Sequence, residues 1–243
     1  MPDTSTSAGA TLLAVRDLNA WYDESHALHG VGFHVRRGEV VTLLGRNGAG
    51  KTTTLRSIMG MLRRRTGSVQ FEGAETISLS SRQIARLGIG YVPEERGIFA
   101  TLTVKENFEL PPIIRAGGMD AARILTMFPN LRERMGSMGT KLSGGEQQML
   151  AIARILRTGA HLLLLDEPTE GLAPVIIEQI ARTVAALKAS GFTIVLVEQN
   201  LNFAVSVSDR HYVVEQGRVV DEIANADMGD ETHKQRVQAY LGV

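Results

Sequence analysis

Gly45-Arg46-Asn47-Gly48-Ala49-Gly50-Lys51-Thr52, directly after the apolar run Val40 to Leu44, decides the reading of this chain. It satisfies the spacing G-x-x-x-x-G-K-S/T. Glycines let such a backbone curl tightly, so that successive N–H groups point inward as an anion nest. From Lys51 to Leu62, the residues Leu55, Ile58, Met59 and Leu62 fall on one stripe, which predicts a helix. Its positive N-terminal end would face the same nest. Lys51 is then placed to reach β- and γ-phosphates, and the Thr52 hydroxyl to take one position on Mg2+. A plain turn joining strand to helix is the structural alternative. The flanking strand and helix are the context that favours a nucleotide.

Outward from this loop, short apolar runs alternate with helix-period segments. Val40 to Leu44, Leu162 to Leu165 and Phe192 to Val197 read as strands, and Glu146 to Arg157 and Val175 to Leu187 as helices. The alternation predicts an α/β protein with parallel strands. Asp166 and Glu167 then stand at the C-terminal end of a strand, where open α/β sheets bind ligands. Asp166 suits a hold on Mg2+, and Glu167 suits polarising an attacking water. Solvated acids ahead of Pro168 are the alternative. His211 to Val214 and Arg218 to Asp221 flank Glu215-Gln216-Gly217 and predict a hairpin. Near the start, Thr11 to Val15 and Val31 to Val35 read as antiparallel strands around a polar, aromatic-containing turn. Thr103 to Thr140, with Pro111-Pro112, Gly117-Gly118 and Pro129, reads as short helices joined by loops. The plan is one domain over residues 1–243: β-subdomain strands at 11–40, core at 41–98 and 158–222, an inserted helical subdomain at 99–157, and a tail at 223–243.

Composition narrows the class by exclusion. Among 243 residues, 26 basic and 26 acidic side chains balance, and there is no cysteine. That removes a disulfide scaffold, a thiolate zinc site and a cysteine nucleophile. Zero formal charge argues against gripping nucleic acid by bulk electrostatics. No apolar run approaches the roughly 18–20 residues that cross a bilayer. Met1 to Ala10 is polar and small, unlike a secretory signal. A soluble, cytoplasmic protein is expected. Arg63-Arg64-Arg65 reads as a solvated helix C-terminal turn complementing the helix dipole. His26 and His29 lack a second ligand cluster, so no metal site is expected there. Leu125, Met127, Phe128 and Leu131 are read as core of the helical subdomain.

Leu142-Ser143-Gly144-Gly145-Glu146-Gln147-Gln148 opens the helix that precedes Asp166. Ser143 can cap it, and Gly144-Gly145 expose N–H groups to an anion. A single nucleotide has no obvious need of two glycine-rich helix starts from one chain. The second start makes sense if it covers ATP held by a partner subunit.

With these three motifs in order, the chain resembles an ATP-binding cassette (ABC) subunit: Walker A at Gly45 to Thr52, signature at Leu142 to Glu146, Walker B at Leu162 to Glu167. The likeness runs from about Leu12 to about Asp221. It implies a P-loop NTPase of ABC type, with a RecA-like core, an N-terminal antiparallel β subdomain and an inserted helical subdomain. It also implies a head-to-tail dimer clasping two ATP molecules with Mg2+. By that likeness Tyr22, with Trp21 beside it, lies against adenine. Gly45, Asn47, Gly48, Ala49, Gly50, Lys51, Thr52 and Thr53 surround the phosphates, and Ser143, Gly144 and Gly145 face the partner's nucleotide.

Further stretches resemble the ATPases of branched-chain amino-acid importers, especially the shorter of the two paired ATPases. They are Tyr91-Val92-Pro93-Glu94, Thr103 to Asn107, Gly171-Leu172-Ala173-Pro174, Val197 to Asn200 and Tyr240-Leu241-Gly242. Amide and urea importers share much of this. Three positions depart from the wider family pattern. Glu94 replaces the Q-loop glutamine and could bind the ion as a carboxylate. Ala173 replaces the D-loop aspartate. Gln199 replaces the switch histidine, and can donate an amide hydrogen bond but carries no proton. The resemblance implies ATP hydrolysis with Glu167, Lys51 and Gln199 as the catalytic set and Thr52, Asp166 and Glu94 around the metal. It implies integral membrane permeases as partners on the inner face of the membrane, and a periplasmic-type binding protein indirectly. Gly97 to Thr103, with Ile98 and Phe99 expected exposed, is the stretch suited to receive a permease helix. Homodimer and heterodimer with a second ATPase are both compatible. An exporter ATPase and a nucleic-acid ABC machine are the alternatives, although no nucleic-acid partner is expected.

Overall fold

Three strands are buried along their whole length: Val40–Leu44 (β3), Leu162–Asp166 (β7) and Thr193–Glu198 (β8). Their near-continuous apolar sequence is what a parallel sheet covered on both faces requires. The structure, a computed structural model, describes residues 9–242; residues 1–8, with most of the polar N-terminal stretch, and residue 243 lie outside it. Ahead of β3 come Thr11–Tyr22 (β1) and Ser25–Arg36 (β2). After it come Lys51–Ile58 (α1), Arg64–Phe71 (β4), Ala74–Glu75 (β5), Ser81–Leu87 (α2) and Ile89–Val92 (β6). Val104–Glu109 (α3), Ala121–Met127 (α4), Pro129–Glu133 (α5) and Gly144–Leu156 (α6) form the helical region before β7. Pro174–Ala189 (α7) precedes β8, and Leu201–Val207 (α8), Arg210–Glu215 (β9), Arg218–Ala224 (β10) and Glu231–Leu241 (α9) complete the chain.

The strands form two sheets, β2-β1-β4-β5 and β10-β9-β3-β8-β7-β6. In the larger one every pair is parallel except the β9–β10 hairpin at its edge. Side-chain alternation divides the core. Leu162 and Leu164 face the smaller sheet with Leu13, Phe33 and Phe71, whereas Leu163 and Leu165 face the helical side with Phe108, Leu150 and Val184. A third cluster ties α9 to the sheet through Leu44, Val213, Val237 and Leu241. Register then fixes the site: Leu44 pairs with Glu198, and Asp166 with Val197. The C-terminal ends of β3, β7 and β8 therefore share one edge.

Several expectations change. The helix from Lys51 stops at Ile58 rather than Leu62, because the chain reverses through Met59 and Gly60, where Met61 N–H returns to the Arg56 carbonyl. Trp21 and Tyr22 belong to a strand, not a turn; the turn is Asp23-Glu24, and β1 and β2 run twelve residues each. The antiparallel sheet is not confined to 11–40, since β4 and β5 pair into it. Arg63 to Arg65 is no solvated helix end. Arg64 opens β4 opposite Trp21 and lies 4.7 Å above its ring, while Arg65 donates to the Leu62 and Leu79 carbonyls at 2.7 Å each.

Candidate functional site

The loop leaving β3 is shaped by backbone constraints. A Cβ on Gly45 would meet the Val214 carbonyl oxygen at 2.4 Å, and Gly50 sits at φ 106°, where an L side chain is strained. The curl leaves Arg46, Asn47 and Gly48 exposed and Ala49 buried. With Glu215, Gln216 and Tyr240 these residues line a hollow of about 280 Å³. Gly50 gives α1 no side-chain cap, so its first N–H groups point into the loop.

Lys51 is almost completely buried, its ammonium donating to the Gly45 carbonyl at 2.8 Å and the Arg46 carbonyl at 3.1 Å. The same ammonium lies 3.1 Å from the Glu167 carboxylate. Thr52 Oγ1 donates to Asp166 Oδ1 at 2.8 Å, and Tyr91 Oη donates to Asp166 Oδ2 at 2.8 Å. Burial pushes the Asp166 carboxyl up despite these two donors. Glu167 adopts φ 44°, a strained left-handed conformation for a glutamate, with its N–H held by the Val197 carbonyl at 3.0 Å. Partial burial and then the charges of Glu167 and Asp166 raise the Glu94 carboxyl, so it belongs to the same acidic corner. Thr53 follows in α1, its carbonyl accepting from Ser57 at 2.7 Å.

Other expected residues lie apart. Ser143 caps α6, accepting from Glu146 N–H at 3.3 Å while the Glu146 carboxylate accepts from Ser143 N–H at 2.8 Å. Gly144 and Gly145 form the first turn. Among the described residues no hydrogen bond or ion pair joins Ser143, Gly144 or Gly145 to residues 45–52. Tyr22 is 41% exposed at the end of β1. Trp21 is already engaged, stacked on His26 at 4.3 Å beneath Arg64. Gln199 is exposed just beyond β8, and Ala173 is the N-cap of α7. Ile98 departs from expectation: it packs against the helical-side core, while Phe99 is 51% exposed. Asn107, fully buried, holds that loop by accepting from Phe99 N–H at 2.8 Å and donating to the Phe99 carbonyl at 3.0 Å.

Two site residues entered the sequence reading only within importer-like stretches, without a chemical role of their own. Glu198 is buried beside the loop, accepts from the Thr169 hydroxyl at 2.9 Å, and is pushed up to about 7 chiefly by burial. A carboxylate at the end of an apolar run was the available signal, the same one that exposed Asp166. Tyr91 carried no comparable signal. The donors around Asp166 fit Mg2+: hydroxyl and carboxylate oxygens are its preferred ligands, usually one or two carboxylates completed by phosphate and water.

A strand, an anion nest, a buried lysine and paired carboxylates at one sheet edge define a P-loop nucleotide-hydrolysing ATPase. More narrowly, this chain belongs to the ABC transporter family, whose profile matches residues 28–170. It is 42% identical over 95% of its length to all of the high-affinity branched-chain amino acid transport ATP-binding protein BraG of Pseudomonas aeruginosa. It is 34% identical, over 96% of its length and 98% of the relative, to the lipopolysaccharide export system ATP-binding protein LptB of Escherichia coli. Among solved structures, an ADP-bound cassette of an ABC transporter matches at TM-score 0.80 and 25% identity, covering 95% of this chain and 99% of that one. A dimeric bacterial ABC transporter cassette matches at TM-score 0.78 and 27% identity, covering 88% and 99%. No described helix is long and apolar enough to cross a membrane.

Proposed function

We propose that this ATPase subunit energises a membrane importer of branched-chain amino acids or related amides. The convergence of Lys51 with Glu167 at 3.1 Å and Thr52 with Asp166 at 2.8 Å beside the loop carries the ATPase part of this reading, and the 42% identity to BraG supports the importer part. ATP is the substrate. The loop N–H groups and Lys51 hold its phosphates. Phosphate oxygens compete with Glu167 for the Lys51 ammonium, which frees Glu167 to orient and polarise water. Thr52, Asp166 and Glu94 would hold Mg2+, which would supply positive charge against the phosphates. Gln199 donates an amide hydrogen to the γ-phosphate. Tyr22 stacks on adenine, and Ser143, Gly144 and Gly145 cover the nucleotide of a second subunit, identical or paired. Dimer closure draws the helical regions together and moves the permease. An apolar groove of about 680 Å³, walled by Met61, Pro111, Ile113 and Ile155, supports permease docking at the inner membrane face.

Replacing Glu167 by Gln is expected to keep ATP binding while steady-state turnover falls by about 10²–10⁴-fold. Undiminished turnover in pure protein overturns the catalytic assignment. The likeness to LptB favours an exporter as the second reading. Neighbouring reading frames decide between them: two permeases, a second ATPase and a binding protein support import, and an outer-envelope export apparatus supports export.

A further inference from the structure

Asp166 is held from two sides. Thr52 Oγ1 donates to Oδ1 and Tyr91 Oη to Oδ2, each at 2.8 Å. The first donor rides on α1, beside the phosphate loop. The second comes from the neighbouring strand β6. Tyr91 pairs with Leu164, two residues before Asp166, so the strand alternation puts all three side chains on one face. With both oxygens held, the carboxylate plane cannot swing about the Cβ–Cγ bond.

The tyrosine has an anchor of its own. Arg56, one turn along α1 from Thr52, places its positive charge near Tyr91 and Tyr22, and donates to Glu95 at 3.4 Å. Tyr91 is half-buried, and burial together with the Asp166 charge pushes its phenol well above the ordinary range. Its hydroxyl is the donor in the 2.8 Å bond to the carboxylate. Tyr91 thus stands between the Arg56 charge and Asp166, bonded to the carboxylate and placed where the cation can polarise its hydroxyl.

Resting on the nucleotide reading above, we propose that Tyr91 is a positioning residue that aims the Asp166 carboxylate at the metal ion, with Arg56 holding its hydroxyl in place. Because Arg56 also lies near Tyr22 and donates to Glu95, the aim of Asp166 is tied to the base-side aromatic and to the loop carrying Glu94. Without Tyr91, Asp166 keeps the Thr52 hydroxyl as a donor. What it loses is one of its two fixed directions.

The test uses the full chain saturated with a non-hydrolysable ATP analogue, into which Mg2+ is titrated. Tyr91→Phe keeps the ring and removes the donor. Its half-saturating Mg2+ concentration is expected to rise about tenfold, the equivalent of one charge-assisted hydrogen bond. Affinity for the analogue without divalent ion should stay within about twofold, a pattern that loosened packing would not produce. Arg56→Gln should raise the Mg2+ requirement about threefold alone and add nothing in the Tyr91→Phe background, since it acts through Tyr91. Arg56→Gln, at a partly exposed helical position, carries the same readout if the Phe variant does not fold. An unchanged Mg2+ midpoint, or additive effects, overturns the proposal while leaving nucleotide binding intact. Failure of the unmodified chain to bind the analogue at all overturns the nucleotide reading and this inference with it.

Discussion

Two helices of this molecule have glycines at their start, α1 just after Gly50 and α6 with Gly144-Gly145 in its first turn, and they are satisfied in opposite ways. The start of α1 has no side-chain cap, and its first residues are tied to β7 by Thr52–Asp166 and Lys51–Glu167. The start of α6 is closed by its own Ser143–Glu146 capping box, with Ser143 exposed. A capping box answers two of the helix's free donors and leaves the N–H groups of Gly144 and Gly145 without intrahelical partners. The first start brings acids, a cation and a nest to one corner. The second has donors to offer, with the Arg96 guanidinium and the Arg134–Glu146 ion pair beside it. On the function proposed above, one chain carries two unlike halves of a phosphate site, as a head-to-tail dimer would use.

The largest effect should come from breaking the first half. Lys51→Ala removes the charge aimed at the phosphates and leaves Glu167 without its 3.1 Å partner. Turnover is expected to fall by roughly 10³-fold, the scale of losing one preorganised charge donor. Measured kcat within tenfold of the unmodified chain would contradict the assignment of the chemistry to this corner. The capping box at α6 shares no bond with Lys51, so folding of the helical region should be unaffected.

A second test asks where instability is stored. Glu198, at the acidic corner, is raised from 4.5 to about 7 by burial. Its folded-state value lies above its unfolded value, so its favourable contribution is complete below pH 4.5. That contribution is lost as pH rises through 7. Glu198→Gln removes this dependence. The variant should gain roughly 3 kcal/mol over the unmodified chain between pH 4.5 and pH 8, read from urea midpoints. Parallel pH profiles for the two proteins would remove Glu198 from the account.

Both halves were legible in the sequence because each is local. The loop at 45–52, the run before Asp166 and the Ser143 cap are contiguous stretches whose spacing states their geometry. Tyr91 and Glu198 were not, because their partners, Asp166 and Thr169, are remote in sequence and meet them only through strand pairing and the folded loop. The smaller sheet was read short for a related reason. Register shifts between Val15 and Leu18, and again at Asn19 and Trp21, interrupt the alternation by which a twelve-residue strand would declare itself. Arg63 to Arg65 fitted a helix end by charge alone. The Trp21 ring that receives Arg64 belongs to a strand the sequence had not extended so far.

The smallest effect should come from Ser143→Ala, and it separates the two halves most sharply. Within the monomer Ser143 makes one cap bond, to Glu146 N–H at 3.3 Å. Its loss should lower stability by about 1 kcal/mol. The phosphate loop keeps every bond it has, so nucleotide affinity of the monomer should remain within about twofold. Dimerisation driven by ATP in a Glu167→Gln background should nevertheless weaken, by about tenfold if the hydroxyl donates to the partner's phosphate. Sedimentation of the double variant against its Glu167→Gln parent reads this directly. Equal loss of monomer binding and dimerisation would mean that α6 acts on its own chain's nucleotide, and the contrast between the two helix starts would then be one of local capping alone.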